Sequence, residues 1–242
     1  TFIQLFIRLS MNKKLVVSNH NSDLEWLSMT YDYGFSPDNT IIYDRSDEEK
    51  DWSHLGESLR SPNVGENIYD MMRFIVEHYD NLPDVSIFIK GNLFQRPEEH
   101  GGENYYTTKE RFIRALQAEY FLPIERFHES TSVVINGGGF VQPTWEAASN
   151  PNIYARHFST FSQMLNKLFV NPPSFPYNRF APGGNYVVPK ANILKFSKLF
   201  YERLQFYCSY EPPEEFQSTS GESYLIERAL YLIWTEDLVE KL

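Results

Sequence analysis

Residues 14–27, KLVVSNHNSDLEWL, join a short apolar run to a small polar turn and the opening of a helix. The run is β-branched and continuous, as suits a strand covered on both faces. The same signature recurs at 40–43 (TIIY), 85–90 (VSIFIK) and 132–136 (SVVIN). Between the runs lie helical stripes. Residues 66–79 place Ile68, Met71, Met72, Ile75 and Tyr79 on one face. Similar spacing predicts helices over 109–120, 154–169, 192–207 and 223–234. A proline-rich stretch, 171–185, feeds a further strand at 186–188. Alternating strands and helices predict an α/β domain with a mainly parallel central sheet flanked by helices.

In such a sheet, ligands bind beyond the carboxyl ends of the strands. The candidates are therefore the residues that follow each run. Ser18, Asn19, His20 and Asp23 follow the first, where free backbone N–H groups favour an anion. An ordinary helix cap by Ser22 or Asp23 explains the same turn. Asp44 ends the second run, ahead of a solvated acidic stretch at 47–51. Asn63, Gly65 and Glu66 open the next helix, with Gly65 suited to a left-handed turn. Lys90, Gly91 and Asn92 end the third run. Glu222 stands in the first turn of the last helix, where the dipole favours an ionised carboxylate, either as a base or as a plain structural acid.

Composition sets the outer limits. The chain has 242 residues, 42% hydrophobic and 16% aromatic, too rich in large side chains for a disordered polypeptide. A net charge of -10 argues against nucleic acid as a partner. Cys208 is the single cysteine, which excludes a disulfide scaffold and suits a cytoplasmic, reducing setting. No apolar run reaches the ~20 residues of a membrane span. Met11 reads like a natural start, so the expected domain is 11–242, with 1–10 an extension that reads as a clipped signal segment, upstream translated sequence or a short strand. No Gly-x-Gly-x-x-Gly follows the first strand, against a dinucleotide-binding dehydrogenase. Adjacent acids at 98–99 and 214–215 would suit a hydrolase but read as solvated loops.

The ordered set VVSNHNSDLEWL (16–27), IIYDRS (41–46) and PNVGENIYDMMRFIVEHYDNLPDVSIFIKGN (62–92), followed by FAPGGNYVVPK (180–190), FYERL (200–204) and the terminal Glu-Arg helix, resembles a family of uncharacterised glycosyltransferase-like domains with viral members. That family is similar to nucleotide-sugar enzymes of the GT-A type. The resemblance spans about residues 14–234. It implies a GT-A-like fold, a nucleotide-sugar donor and a glycan or other hydroxyl acceptor. The donor would lie against the strand-end residues named above. The acceptor would lie near Gly183, Gly184 and Asn185, with Glu222 as the general base. In GT-A enzymes an Asp-x-Asp strand end carries Mn2+ or Mg2+ on the diphosphate. Here that strand end is Lys90-Gly91-Asn92, which leaves Asn92 as a weak oxygen donor and puts the metal in doubt. Lys90 or Arg45 would then meet phosphate directly. The missing carboxylates also suit a non-catalytic module that binds sugar or nucleotide.

Overall fold

The computed structural model describes residues 11–95, 107–125, 139–142, 144, 146, 150–217 and 219–241. The core is a six-stranded sheet of order β3-β2-β1-β4-β8-β5. Its strands are β1 (Lys13–Asn19), β2 (Thr40–Asp44), β3 (Glu57–Arg60), β4 (Val85–Lys90), β5 (Leu122–Pro123) and β8 (Tyr186–Pro189). A separate pair joins β6 (Phe140–Val141) to β7 (Asn178–Arg179). Strands β3, β2, β1 and β4 run parallel, while β8 is antiparallel to both β4 and β5. The sheet is therefore mixed, and β8 alone runs against the others.

The helices are α1 (Glu66–His78), α2 (Lys109–Gln117), α3 (Phe161–Leu168), α4 (Lys190–Ile193), α5 (Lys198–Cys208) and α6 (Gly221–Thr235). Successive strand residues point to opposite faces, and each face has its own cover. Val16, Ile41, Tyr43 and Phe88 pack with Met72 and Ile75 of α1, Leu204 of α5 and Ile226 of α6. Leu15, Val17, Ile42, Ile87 and Ile89 pack on the other face with Leu27, Phe112 and Leu116. Each fully buried aliphatic or phenyl side chain contributes about 1.5–3 kcal/mol. Two-sided burial is why the strand sequences are continuously apolar rather than alternating.

Several predicted elements change in extent. The helix expected over 154–169 begins only at Phe161, because Thr160 caps it and Tyr154 bridges to Ser220. The helix expected over 192–207 is two helices, with Ser197 capping the second by accepting from Phe200 N. The helix expected over 109–120 stops at Gln117. The segment after the first turn is a 3-10 helix, Glu25–Tyr33. Strand β3 was not anticipated; its sequence ESLR is polar because it is an exposed edge. The expected strand at 132–136 lies outside the described residues. No helix among the described residues is long and apolar enough to cross a membrane.

Candidate functional site

Parallel pairing brings the strand ends into one row. Ser18 registers with Lys90, Asn19 with Asp44, and Asp44 with Arg60. The ladder continues past the strands: Arg45 N donates to Asn19 O, Ser61 N to Asp44 O, and Gly91 N to Ser18 O. The chain moves outward from β1 through β2 to β3, then returns to place β4 on the other side of β1. A crevice outside the carboxyl ends, at the point where the order reverses, is where such sheets bind ligands.

A cavity of about 280 Å³ occupies that point. It is lined by Ser18, His20, Ser22, Arg45, Asn63, Glu66, Lys90, Gly91, Asn92 and Thr219. A larger depression of about 870 Å³ lies at the amino ends of β2 and β3, rimmed by Asp38, Glu49, Asp51 and Glu57. The smaller cavity is the better candidate, since it sits on the ligand edge and gathers cations.

Its charges are organised in two layers. Lys90 Nζ stands 3.1 Å from Glu66 Oε2, and Thr219 Oγ1 donates to Glu66 Oε1 at 3.0 Å. The Lys90 ammonium is the main cause that pulls the Glu66 carboxyl down to about 2, against the opposing effect of burial. Beneath them Asp70 of α1 is fully buried and accepts from the hydroxyls of Ser18 and Ser61. Arg45 Nε lies 3.2 Å from Asp70 Oδ2, an ion pair without hydrogen-bond alignment. Burial raises the Asp70 pKa, with Arg45 and the two hydroxyls opposing the rise.

Backbone geometry completes the pocket. Gly65 and Glu66 both have positive φ, +60° and +50°. At Gly65 an added Cβ would also meet Cys208 O at 2.7 Å. Glu66 takes the same left-handed turn although it has a side chain, the kind of strain that clusters at ligand sites. Gly91 is required by contact: a Cβ there would stand 2.4 Å from Asn19 Oδ1.

Of the expected donor-binding residues, Ser18, His20, Asn63, Glu66, Lys90, Gly91 and Asn92 line the cavity. Asn19 and Asp44 do not. They are buried against each other, with Asn19 Nδ2 donating to Asp44 Oδ1 at 3.2 Å and Ser46 N to the same oxygen at 3.0 Å. Asp44 therefore closes the loop after β2. Asp23 is exposed and accepts from Glu25 N in the turn before the 3-10 helix. Gly65 shapes the turn from behind. Gly183, Gly184 and Asn185, the expected acceptor residues, are buried and do not line the cavity. Asn185 instead accepts from Lys90 N at 2.8 Å and donates to Glu125 Oε1 at 3.0 Å, fixing the end of β4. Gly183 O accepts from Asn67 Nδ2.

Glu222 is also elsewhere. It is fully buried, with Oε1 accepting from His157 N and Phe158 N and Oε2 accepting from Tyr210 OH. Those bonds tie the start of α6 to the loop before α3, with no carboxylate oxygen left for the cavity. Of the other lining residues, Ser22 lies within the expected donor-facing turn and Arg45 is the second expected phosphate partner, whereas Thr219 had no site role in the sequence reading.

A GT-A-type metal does not fit this donor set. Among the described residues no group of three or more His, Cys, Asp or Glu is placed to hold an ion. Among the described residues Glu66 is the one carboxylate lining the cavity, and it is already engaged by Lys90.

A family model described as a protein of unknown function, DUF3431, matches residues 15–239. The chain belongs to the DUF3431 family. The match takes in every cavity-lining residue of this DUF3431 chain and every strand of the main sheet but the first two residues of β1. No curated protein and no solved structure matches it.

Proposed function

We propose that this protein is a glycosyltransferase with a GT-A-like fold, taking a nucleotide-sugar donor and a hydroxyl acceptor. The reading is carried by one observation: two cations, Arg45 and Lys90, line a cavity at the switch point between β1 and β4. The sequence resemblance agrees with it. The donor's diphosphate takes the cationic side of the cavity, and Asn63 and the turn before α1 take its polar groups. In transfer, the acceptor oxygen bonds to the anomeric carbon while the bond to the diphosphate oxygen breaks. The electron pair of that bond leaves with the diphosphate, where cations stabilise it. The acceptor proton passes to a base. His20 lines the cavity and stands outside both ion pairs, so it takes this role in place of Glu222.

Incubating the full chain with a panel of nucleotide sugars and hydroxyl acceptors, and measuring nucleoside diphosphate release and acceptor mass, tests the reading. Release coupled to acceptor glycosylation is expected. His20→Ala should lower turnover by on the order of 10²–10⁴ and leave donor affinity nearly unchanged. Donor binding with no turnover on any acceptor would favour the second reading, a non-catalytic module. That alternative has its own support: Glu66, the one carboxylate in the lining among the described residues, is held by Lys90.

A further inference from the structure

The metal expected at a GT-A strand end and the residues found there disagree, and the disagreement identifies what takes its place. We propose that Arg45 and Lys90 form a subsite for a phosphoryl anion, with Asp70 as the positioning residue that aims Arg45. The proposal deepens the donor reading above, since a diphosphate is the group the subsite would hold.

Arg45 is the central observation. Its residue is 6% exposed, yet its side chain makes no hydrogen bond to any described residue. A guanidinium carries five donors in a fixed fork. Of its nitrogens, Nε is buried without a hydrogen bond, which is costly unless a charge offsets it. Asp70 approaches Nε at 3.2 Å and is not among the residues that line the cavity. Arg45 itself lines the cavity, and its fork matches the planar geometry of phosphoryl oxygens.

Three features act with it. Lys90 Nζ provides the second positive charge. The amino end of α1 opens at the left-handed Gly65–Glu66 turn, and no side chain caps it, so its first N–H groups remain for a ligand. Ser18 and Ser61 anchor Asp70 through its two oxygens, so the carboxylate cannot swing and Arg45 keeps one orientation. Glu66 is the opposing charge. A bound anion competes with it for Lys90, and Thr219 keeps the carboxylate in place meanwhile.

Titrating the full chain with inorganic pyrophosphate in EDTA by calorimetry tests the subsite. Saturable binding to one site is expected. Arg45→Gln and Lys90→Met should each weaken it at least about tenfold, as loss of a charge-assisted bond implies. Arg45→Lys keeps the charge without the fork and should still lose affinity. Asp70→Asn tests positioning. It should weaken pyrophosphate in the native chain but have no further effect in the Arg45→Gln background, whereas a merely structural role would add its loss in both. If the Asp70 variant does not fold, the Arg45→Lys comparison carries the test. Binding that appears only when Mn2+ replaces EDTA, or that ignores Arg45, overturns the proposal. Pyrophosphate binding as described, with no nucleotide sugar ever turned over, would keep the subsite and remove the transferase reading.

Discussion

Glu66 and Glu222 lie near the same loop, yet their carboxylates serve different ends. Glu66 is partly exposed beside Lys90, which holds it far below its ordinary 4.5. A carboxyl depressed in the folded state adds stability that is complete above the unfolded value and is lost as pH falls through the folded value. For Glu66 that window runs from 4.5 down to about 2. Lys90→Met removes the largest cause, so the variant should lose less stability than the native chain between those pH values. Urea unfolding at pH 6, 4 and 3 checks this; parallel pH slopes would exclude the ion pair as a source of acid sensitivity. Glu222 predicts the opposite pattern. Glu222→Gln keeps one oxygen for the His157 and Phe158 N–H groups but sets an amide N–H against the Tyr210 hydroxyl, which loses Oε2 as its acceptor. The expected loss is about 1–3 kcal/mol, or about 2–4 °C in Tm for each kcal/mol, with pyrophosphate affinity retained. Normal stability with abolished turnover would restore a catalytic role. The sequence could mark both residues as helix-opening acids, but it could not tell which one faces a cavity. That depends on long-range packing against residues 157, 158 and 210 for Glu222, and on β4 for Glu66.

At the scale of elements, local chemistry decides where the helices begin. In α3, Thr160 Oγ1 accepts from Gln163 N at 3.1 Å, and Gln163 Oε1 accepts from Ser159 N at 2.8 Å. The helix has 8 residues, too short to persist without caps and packing. Thr160→Ala should cost about 1 kcal/mol in denaturant unfolding, whereas Thr160→Gly should lose only about a few tenths. Equal losses for the two would point to side-chain packing rather than capping. The apolar stripe of residues 158–168 was legible, but it ran through the cap, because Phe158 is buried from the loop as well as it would be from a helix. Strands β1, β2 and β4 were legible for the complementary reason: burial on both faces leaves an unbroken apolar run. Strand β3 has one neighbour and an exposed polar sequence, so periodicity had nothing to detect. The reversed direction of β8 was equally hidden. Direction follows from how the connecting chain returns, and the residues of 186–189 read the same either way.

For the whole molecule, the cavity's charge and the surface charge oppose each other. The chain carries -10 overall, while Arg45 and Lys90 line the site. An anionic ligand approaching from a distance meets the net field first, and that field extends about 10 Å at 0.1 M ionic strength and about 30 Å at 0.01 M. Contacts with Arg45 and Lys90 act at about 3 Å, inside the reach of screening. Raising the salt should therefore weaken the long-range repulsion more than the contacts. The association rate of pyrophosphate, measured by stopped flow, should rise between 0.01 and 0.1 M salt, and the dissociation rate should change less. Ligands steered by a complementary field do the reverse, with association falling as salt increases. An association rate that falls over this range would mean that the cleft focuses enough positive potential to override the acidic surface. In that case the cationic subsite would govern capture of the ligand as well as its retention.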